Sequence, residues 1–293
     1  MNRQKHDQFS KQCLAELLES EGQIHLNYEI QGVSRYVDIY FTPTTTVRND
    51  LGLLTQLTLG PCLLEPFRNQ PTKMEVRQCM LKLFALQSEL KRQAKQKKSS
   101  ISENALPRLW ILTTSASESW LNFFEAETDV PHWSEGIYFL PKWTKTAIIV
   151  IDQLPTTSNT LWLRMLGKGQ TQRQAIDEIT ALPRKDALRQ RLLELLFIWH
   201  IDVETQVKLT KDDKELLMNL TPAHQKYKDE ILLQGQMKTQ KVFVRNWLRA
   251  KFGKLDRTLS KVVDPLVQLS PEESSRLLMR LSREELLAKF AKK

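Results

Sequence analysis

The chain has 293 residues, 41% of them hydrophobic, so it can bury a substantial core and is not a disordered protein. Its three cysteines are scattered and form no CxxC pair, which excludes a disulfide framework and gives no sign of a zinc or redox site. The net charge is +9, and no apolar run approaches the length of a membrane span. The sequence therefore predicts a soluble cytoplasmic protein without membrane contact.

The first elements alternate between helical and strand patterns. Residues 7–18 place their apolar side chains on one helical stripe. Two alternating segments follow, GQIHLNYEIQG (22–32) and RYVDIYF (35–41), and predict an antiparallel hairpin closed by the turn QGVS. The apolar segment PCLLEPF (61–67) predicts a third strand. Residues 72–97 predict a long helix, with Thr72 as its N-cap and Glu75 three residues later.

The second half of the chain changes from mixed to helical composition. Three further strands are predicted in RLWILTTS (108–115), GIYFLP (136–141) and TAIIVIDQLP (146–155), with a helix over 116–127 between the first two. Almost everything beyond Pro155 has helical patterning. The sequence thus predicts an α+β fold, a mixed sheet flanked by helices and followed by an all-helical region. The predicted domains are residues 1–182, a helical extension and spacer over 183–237, and a small basic domain over 238–293.

One acidic residue stands out in the hairpin. Strands are depleted in aspartate, because a short anion gains little on a half-buried pleated surface, yet Asp38 lies in the middle of RYVDIYF. It is either a solvated outward-facing residue or a metal ligand. Glu65 occupies the next predicted strand, and carboxylates on neighbouring strands can converge on one cation.

The chain resembles a known family at this point. The order helix, three strands with Asp38 on the second and Glu65 on the third, then a long helix, resembles the core of the PD-(D/E)XK nuclease superfamily. The segments VDIYFTPT, LLEPFRN, LPRLWILT, GIYFLP, TLWLRMLGKGQTQRQAIDEI and LSREELL resemble, over nearly the whole chain, bacterial recombination-promoting nucleases related to transposases. Many members of that group end in a small helical domain. The resemblance makes residues 1–182 the nuclease-like domain.

The resemblance implies a metal-dependent nuclease site, which this chain matches in part. Asp38 and Glu65 match the metal-binding acids, and Glu16 or Glu19 matches an acid on the first helix. The family motif requires a lysine two residues after the second acid, where this chain has Phe67 after Pro66. A proline there also removes a ladder donor, which suits an edge strand or a strand end.

Neighbouring cations are candidates for the missing lysine. In this superfamily a lysine from an adjacent helix sometimes takes the role, and Lys73 is our choice because it begins the helix after the third strand. Arg68 stays protonated and is a weaker base, although it is able to clamp a phosphate. The plain alternative for Lys73 is an exposed residue in a first helical turn.

A basic segment near the C-terminal end is the candidate nucleic-acid contact. Lys238, Lys241, Arg245 and Arg249 recur at three- and four-residue spacing on one helical face, with Phe243, Val244, Trp247 and Leu248 expected on the other. Such a stripe suits a DNA backbone, an acidic partner or plain solubility. The histidines and tryptophans show no ligand spacing and are expected to be structural, the tryptophans as core anchors.

Two functions of different classes follow from these residues. The first is a Mg²⁺- or Mn²⁺-dependent DNA endonuclease, with Asp38, Glu65 and Glu16 at the metal and Lys73 or Arg68 assisting. The second keeps the fold without the reaction: an inactive nuclease-like module that binds nucleic acid or a protein. DNA is the expected partner in the first case, and a homodimer stays an open alternative.

Overall fold

The computed structural model describes residues 5–29, 36–44, 51–206 and 208–290, with the side chains of residues 5–7 left out. The strands are β1 (Gly22–Glu29), β2 (Tyr36–Pro43), β3 (Cys62–Phe67), β4 (Arg108–Thr113), β5 (Glu127–Thr128), β6 (Ile137–Phe139) and β7 (Thr146–Val150). The helices are α1 (Lys5–Leu18), α2 (Leu53–Leu57), α3 (Lys73–Gln96), α4 (Glu118–Phe123), α5 (Leu161–Arg164), α6 (Gly169–Ala181), α7 (Ala187–Glu204), α8 (Lys211–Phe252), α9 (Arg257–Val267), α10 (Pro271–Arg280) and α11 (Arg283–Phe290).

The strands form one mixed sheet in the order β1-β2-β3-β4-β7-β6-β5. β3, β4 and β7 are parallel neighbours, and the remaining pairs are antiparallel. The predicted antiparallel pairing of the first two strands is confirmed, while its turn QGVS lies outside the described residues. The α+β class and the helical C-terminal region are likewise confirmed.

β3 is an internal strand, and Pro66 is its penultimate residue, which agrees with the strand-end alternative and not with the edge alternative. Its ladder with β2 extends only from Cys62 to Leu64, whereas its pairing with β4 continues to Phe67. Because proline has no N–H to donate, the ladder toward β2 cannot continue at Pro66. The strand therefore tolerates a proline in the interior of the sheet.

Helix α3 packs on one face of this sheet. Val76, Cys79, Leu83 and Leu86 are buried in one cluster with strand side chains that include Leu63. Thr72 caps the helix as predicted, since its side chain accepts from the Glu75 N–H at 3.2 Å and the Glu75 carboxylate accepts from the Thr72 N–H at 2.7 Å. The cap fixes where α3 begins and thereby which of its side chains face β3.

The described chain separates into two compact units, Met1–His224 and Gln225–Lys293. The first unit contains the sheet together with α6, which lies within the predicted domain 1–182, and α7, which lies within the predicted helical extension 183–237. The second unit has its own core, formed by buried residues of α8, α9, α10 and α11 such as Val244, Leu248, Val263 and Leu278. None of the described helices has the length and apolarity of a membrane span.

The tryptophans only partly follow their expected role as core anchors. Trp110, Trp120 and Trp199 are buried. Trp143 has 73% of its surface exposed, and Trp133 is only partly buried. These two rings line a surface cleft of the first unit, so for them the expectation of a core position is wrong.

Candidate active site on the central sheet

The sheet places Asp38 and Glu65 side by side. β2 and β3 pair Ile39 with Leu64, so in the same antiparallel register Asp38 and Glu65 are opposite one another and project from the same face. The Asp38 N–H donates to Glu65 Oε1 at 3.3 Å. The sequence expectation that two neighbouring strands bring these carboxylates to one place agrees with this geometry.

A lysine from α3 contacts the second carboxylate. Lys82 Nζ lies 2.7 Å from Glu65 Oε1, and both side chains are almost fully buried. Lys82 flanks the apolar stripe that carries Cys79, Leu83 and Leu86 against the sheet, so its chain points toward β3 rather than into solvent. The helix that follows the third strand thus places a lysine on the carboxylate of Glu65.

A second lysine contacts the first carboxylate. Lys11 on α1 places its Nζ 2.8 Å from Asp38 Oδ1 and 3.3 Å from Asn27 Oδ1. Asn27 has a φ of 50°, a left-handed conformation that asparagine adopts more readily than most residues. The left-handed residue of β1, Asn27, is thus also the residue that contacts Lys11 together with Asp38.

These four charged side chains form a buried group, which we call the carboxylate–lysine quartet: Lys11, Asp38, Glu65 and Lys82. Their exposed fractions are 7%, 2%, 0% and 5% in that order. Burial, together with the charge of Asp38, raises the pKa of Glu65 to about 7, while Lys82 opposes the shift. Glu65 Oε2 is buried without a hydrogen-bond partner among the described residues. With both lysines and both carboxylates charged, the quartet is neutral.

The quartet does not fit a bound Mg²⁺ as it is arranged. Mg²⁺ requires about six oxygens near 2.1 Å and usually keeps several waters. Each carboxylate here already bonds an ammonium group, and the burial of all four side chains leaves no solvent-exposed position for water or a phosphodiester. Among the described residues no three His, Cys, Asp or Glu side chains are grouped as metal ligands.

The other predicted members of the metal site lie elsewhere. Glu16 pairs with Arg191 at 3.2 Å, and Glu19 pairs with the same arginine at 2.7 Å. Both acids therefore link α1 to α7 instead of adding a third ligand. The expectation that Asp38, Glu65 and Glu16 form one metal site is therefore wrong for Glu16, and only Asp38 and Glu65 lie together.

The predicted replacement lysine is corrected too. Lys73 is exposed, the plain alternative named for it, and its Nζ lies over the Phe123 ring, 3.4 Å from the centroid. Arg68 is buried, donates to the Gly167 carbonyl at 3.2 Å and pairs with Glu215 at 3.5 Å, so it positions the segment before α6. The sequence signal that was missed is Lys82 inside the apolar run CMLKLFAL.

The predicted basic stripe, Lys238, Lys241, Arg245 and Arg249, lies on α8 in the second unit, and we call it the basic face of α8. Lys238, Arg245 and Arg249 are exposed, and none of them forms an ion pair with another described residue. Lys241 instead pairs with Asp264 at 2.5 Å. Val244 and Leu248 are buried as expected, but Phe243 has 50% of its surface exposed and does not lie on the core side.

Comparison with protein-family models, with characterised proteins and with solved structures gives no match. The class of protein is therefore defined by its structure alone: it is an α+β protein with a mixed sheet, a buried carboxylate pair and a basic helical unit. Membership of the nuclease superfamily stays a prediction from Asp38, Glu65 and the order of the elements. The DNA and homodimer expectations also stay predictions.

Proposed function

We propose that this protein is an inactive nuclease-like module that binds nucleic acid through its second unit. The observation that carries the inactivity is the carboxylate–lysine quartet, in which each acid of the candidate metal pair is bonded to a buried ammonium group at 2.8 or 2.7 Å. Lys11 and Lys82 supply within the protein the two positive charges that a divalent ion would otherwise supply. A metal would have to displace both.

The distribution of charge supports the binding part of the proposal. Residues 225–293 contain 16 Lys and Arg against 8 Asp and Glu, a net charge of +8 out of +9 for the whole chain. Lys238, Arg245 and Arg249 present three of these charges from one side of α8 to solvent. Neutralising phosphates releases condensed counterions, so exposed cations without acidic partners favour a nucleic-acid backbone.

The test compares binding and cleavage in the same preparations of the full chain. DNA binding, measured by fluorescence anisotropy, is expected to be the same in EDTA and in Mg²⁺ after correction for ionic strength. Supercoiled plasmid incubated with Mg²⁺ or Mn²⁺ is expected to stay intact. Metal-dependent nicking that disappears in Asp38→Asn, but persists in the exposed control Asp177→Asn, would overturn the inactivity.

A second candidate is the Mg²⁺-dependent DNA endonuclease itself. It is favoured by the adjacency of Asp38 and Glu65 and by Glu65 Oε2, a buried oxygen that no described residue satisfies and that a cation would satisfy. This function requires Lys11 and Lys82 to release the two carboxylates. Ligand linkage separates the candidates, because Mg²⁺ at 100 times its dissociation constant would stabilise the fold by about 2.7 kcal/mol. The inactive module predicts no such specific stabilisation.

A further inference from the structure

A cleft of about 1430 Å³ lies in the first unit, away from the quartet. It opens where the parallel strands β3, β4 and β7 begin, and its lining includes Pro61, Arg108 and Thr146. Glu65, in contrast, is near the other end of β3 and does not line it. The cleft exceeds the size of a typical small-molecule pocket, which is about 300–1000 Å³.

One wall of this cleft is aromatic. Trp110, Trp133 and Phe139 contact one another, with centroid distances of 5.5 Å between the two indoles and 5.3 Å between Trp133 and Phe139. Trp110 is held in place because its Nε1–H donates to the Leu57 carbonyl at 2.9 Å. Trp133 is only partly buried, so part of its ring remains available to a ligand. Such a wall suits a planar ligand.

Arg108 lies against the same aromatic wall. Its guanidinium carbon is 5.5 Å from the Trp110 ring and 5.7 Å from the Phe139 ring. The side chain is half-buried and forms no hydrogen bond or ion pair with any other described residue. Burial lowers the pKa of Arg108, although an arginine keeps its charge. The cleft therefore contains a positioned planar cation whose donors need an anion.

A second cation is nearby. Lys145 Nζ donates to the Glu103 carbonyl at 2.6 Å, and both burial and the charge of Arg108 lower the pKa of Lys145. At the aromatic wall itself a cationic ligand is disfavoured, because Arg108 already lies against Trp110 and Phe139 and Lys145 adds to its charge. The required ligand combines a planar ring with an anionic group.

We propose that this cleft binds a nucleotide, with the base against Trp133 and Phe139 and the phosphate on the Arg108 guanidinium. Arginine binds phosphate through two parallel donors, and aromatic rings stack on any base. Glu125, Glu127 and Asp129 also line the cleft and are able to accept hydrogen bonds from base amino groups. A base stacked inside a duplex has no free face for Trp133, so the ligand is a free nucleotide or one unit of a single strand.

The site is separate from the basic face of α8, and the proposal goes beyond the proposed function. Loss of duplex binding at α8 would leave nucleotide binding in the cleft unchanged. Failure of nucleotide binding would likewise leave the duplex result unchanged. The two proposals are therefore tested independently.

Isothermal titration calorimetry of the full chain tests the inference. The four ribonucleoside 5′-monophosphates are titrated, alongside the matching nucleosides and inorganic phosphate. At least one monophosphate is expected to bind about tenfold more tightly than its nucleoside and than phosphate, because only the nucleotide uses both the ring and Arg108. A single-stranded pentanucleotide distinguishes the two ligands. If it binds more tightly than the monophosphate, the ligand is a single strand, and if it binds more weakly, the ligand is a free nucleotide.

Matched variants locate the binding. Arg108→Gln is expected to reduce monophosphate affinity about tenfold to the level of the nucleoside, and Trp133→Leu to weaken both by about tenfold. The exposed control Arg173→Gln should bind like the wild type. Arg108→Lys keeps the charge, so it serves if the glutamine variant fails to fold, and it should still lose the two-point contact. Monophosphate binding no tighter than that of inorganic phosphate, or unaltered in folded Arg108 variants, overturns the proposal.

Discussion

At the level of single residues, the central feature is a carboxyl group that burial and a like charge hold near neutrality. Glu65 is fully buried, and burial together with the charge of Asp38 raises its pKa from the usual 4.5 to about 7. A buried charge is tolerated only when it is paired and hydrogen-bonded. Lys82 pairs one oxygen of Glu65, and the Asp38 N–H donates to the same oxygen. The other oxygen of Glu65, Oε2, has no hydrogen-bond partner among the described residues.

The adjacency of Asp38 and Glu65 was predictable from sequence, whereas their partners were not. Each acid lies on a strand predicted from its pattern, and consecutive strands are commonly neighbours in a sheet, so their proximity could be expected. Lys11 and Lys82 reach the pair from α1 and α3, and helix-to-strand contacts of that kind depend on packing that no local period encodes. A lysine in the apolar run of α3 was the available signal for Lys82.

Removing Lys82 is expected to destabilise the fold strongly. Lys82→Met removes the cation of the buried Glu65, so at a pH above 7, where Glu65 is ionised, the loss is expected to approach the value of about 3–5 kcal/mol that is typical of a broken buried pair. At lower pH Glu65 takes up a proton instead, and the loss is smaller. Urea unfolding measures the effect, with exposed Lys95→Met on the same helix as the control. The double variant Lys82→Met with Glu65→Leu should recover most of the loss, since an apolar pair needs no compensation. A full loss in the double variant would show that Lys82 stabilises the fold by packing instead.

The raised pKa of Glu65 gives stability a distinct pH dependence. A carboxyl group ordinarily near 4.5 that titrates near 7 in the fold binds more protons in the folded state than in the unfolded state between these values. The contribution of Glu65 to the free energy of unfolding is therefore largest below pH 4.5 and falls as pH rises from about 4.5 to 7. Above pH 7 it no longer changes. The slope reaches about 1.4 kcal/mol per pH unit. Glu65→Gln should remove this slope in urea titrations across that range, and an unaltered slope would assign it to another group.

At the level of elements, local patterning predicted the strands and missed the continuity of the helices. β1, β3, β4, β6 and β7 fall within the expected segments, and β2 overlaps its segment and extends two residues beyond it, because each has the alternation or the apolar composition of a strand. The sheet order, which places β7 between β4 and β6, was not predictable because it depends on long-range pairing. Beyond Pro155, where helical patterning was expected without boundaries, α8 is one helix of 42 residues that continues through Pro222.

The contact of α7 with α8 places two histidines in parallel. The rings of His200 and His224 are 4.1 Å apart with an interplanar angle of 3°, and Phe197 stacks on His224 at 4.7 Å. His200 also contacts Thr221 Oγ1 at 3.2 Å. Burial, followed by the charge of His224, lowers the pKa of His200, while Glu204 opposes the shift. The stack is therefore favoured when both rings are neutral.

Acid is expected to weaken this contact. A histidine with a lowered folded pKa binds fewer protons in the folded state, so its contribution is complete above about 6.5 and is lost as pH falls through the folded value. His224→Phe keeps a stacked ring that cannot be charged, and it should lose less stability than the wild type between pH 6.5 and 5. Glu65 makes stability rise as pH falls, whereas His200 makes it fall. Both proteins in the comparison should therefore carry Glu65→Gln, which removes the contribution of Glu65. Equal losses in both proteins would exclude the stack as their cause.

At the level of the whole molecule, fold and charge are divided between the two units. Residues 1–224 contain the sheet and the quartet and carry 27 Lys and Arg against 26 Asp and Glu. Nearly all of the excess charge belongs to residues 225–293. Attraction to a polyanion is thus a property of the second unit, and it needs neither the carboxylate pair nor a metal.

Charge reversal on α8 is expected to reduce the salt dependence of DNA binding. The triple variant Lys238→Glu, Arg245→Glu and Arg249→Glu removes three candidate phosphate contacts from exposed positions, so folding should be preserved. Each lost contact lowers the slope of log Kobs against log salt by about 0.9, or roughly 3 in all. The control makes the same change at three exposed cations of the first unit, Arg173, Lys185 and Lys211, and alters the net charge equally. If the control lost as much slope as the α8 variant, binding would follow net charge alone, and the basic face of α8 would not be the contact surface.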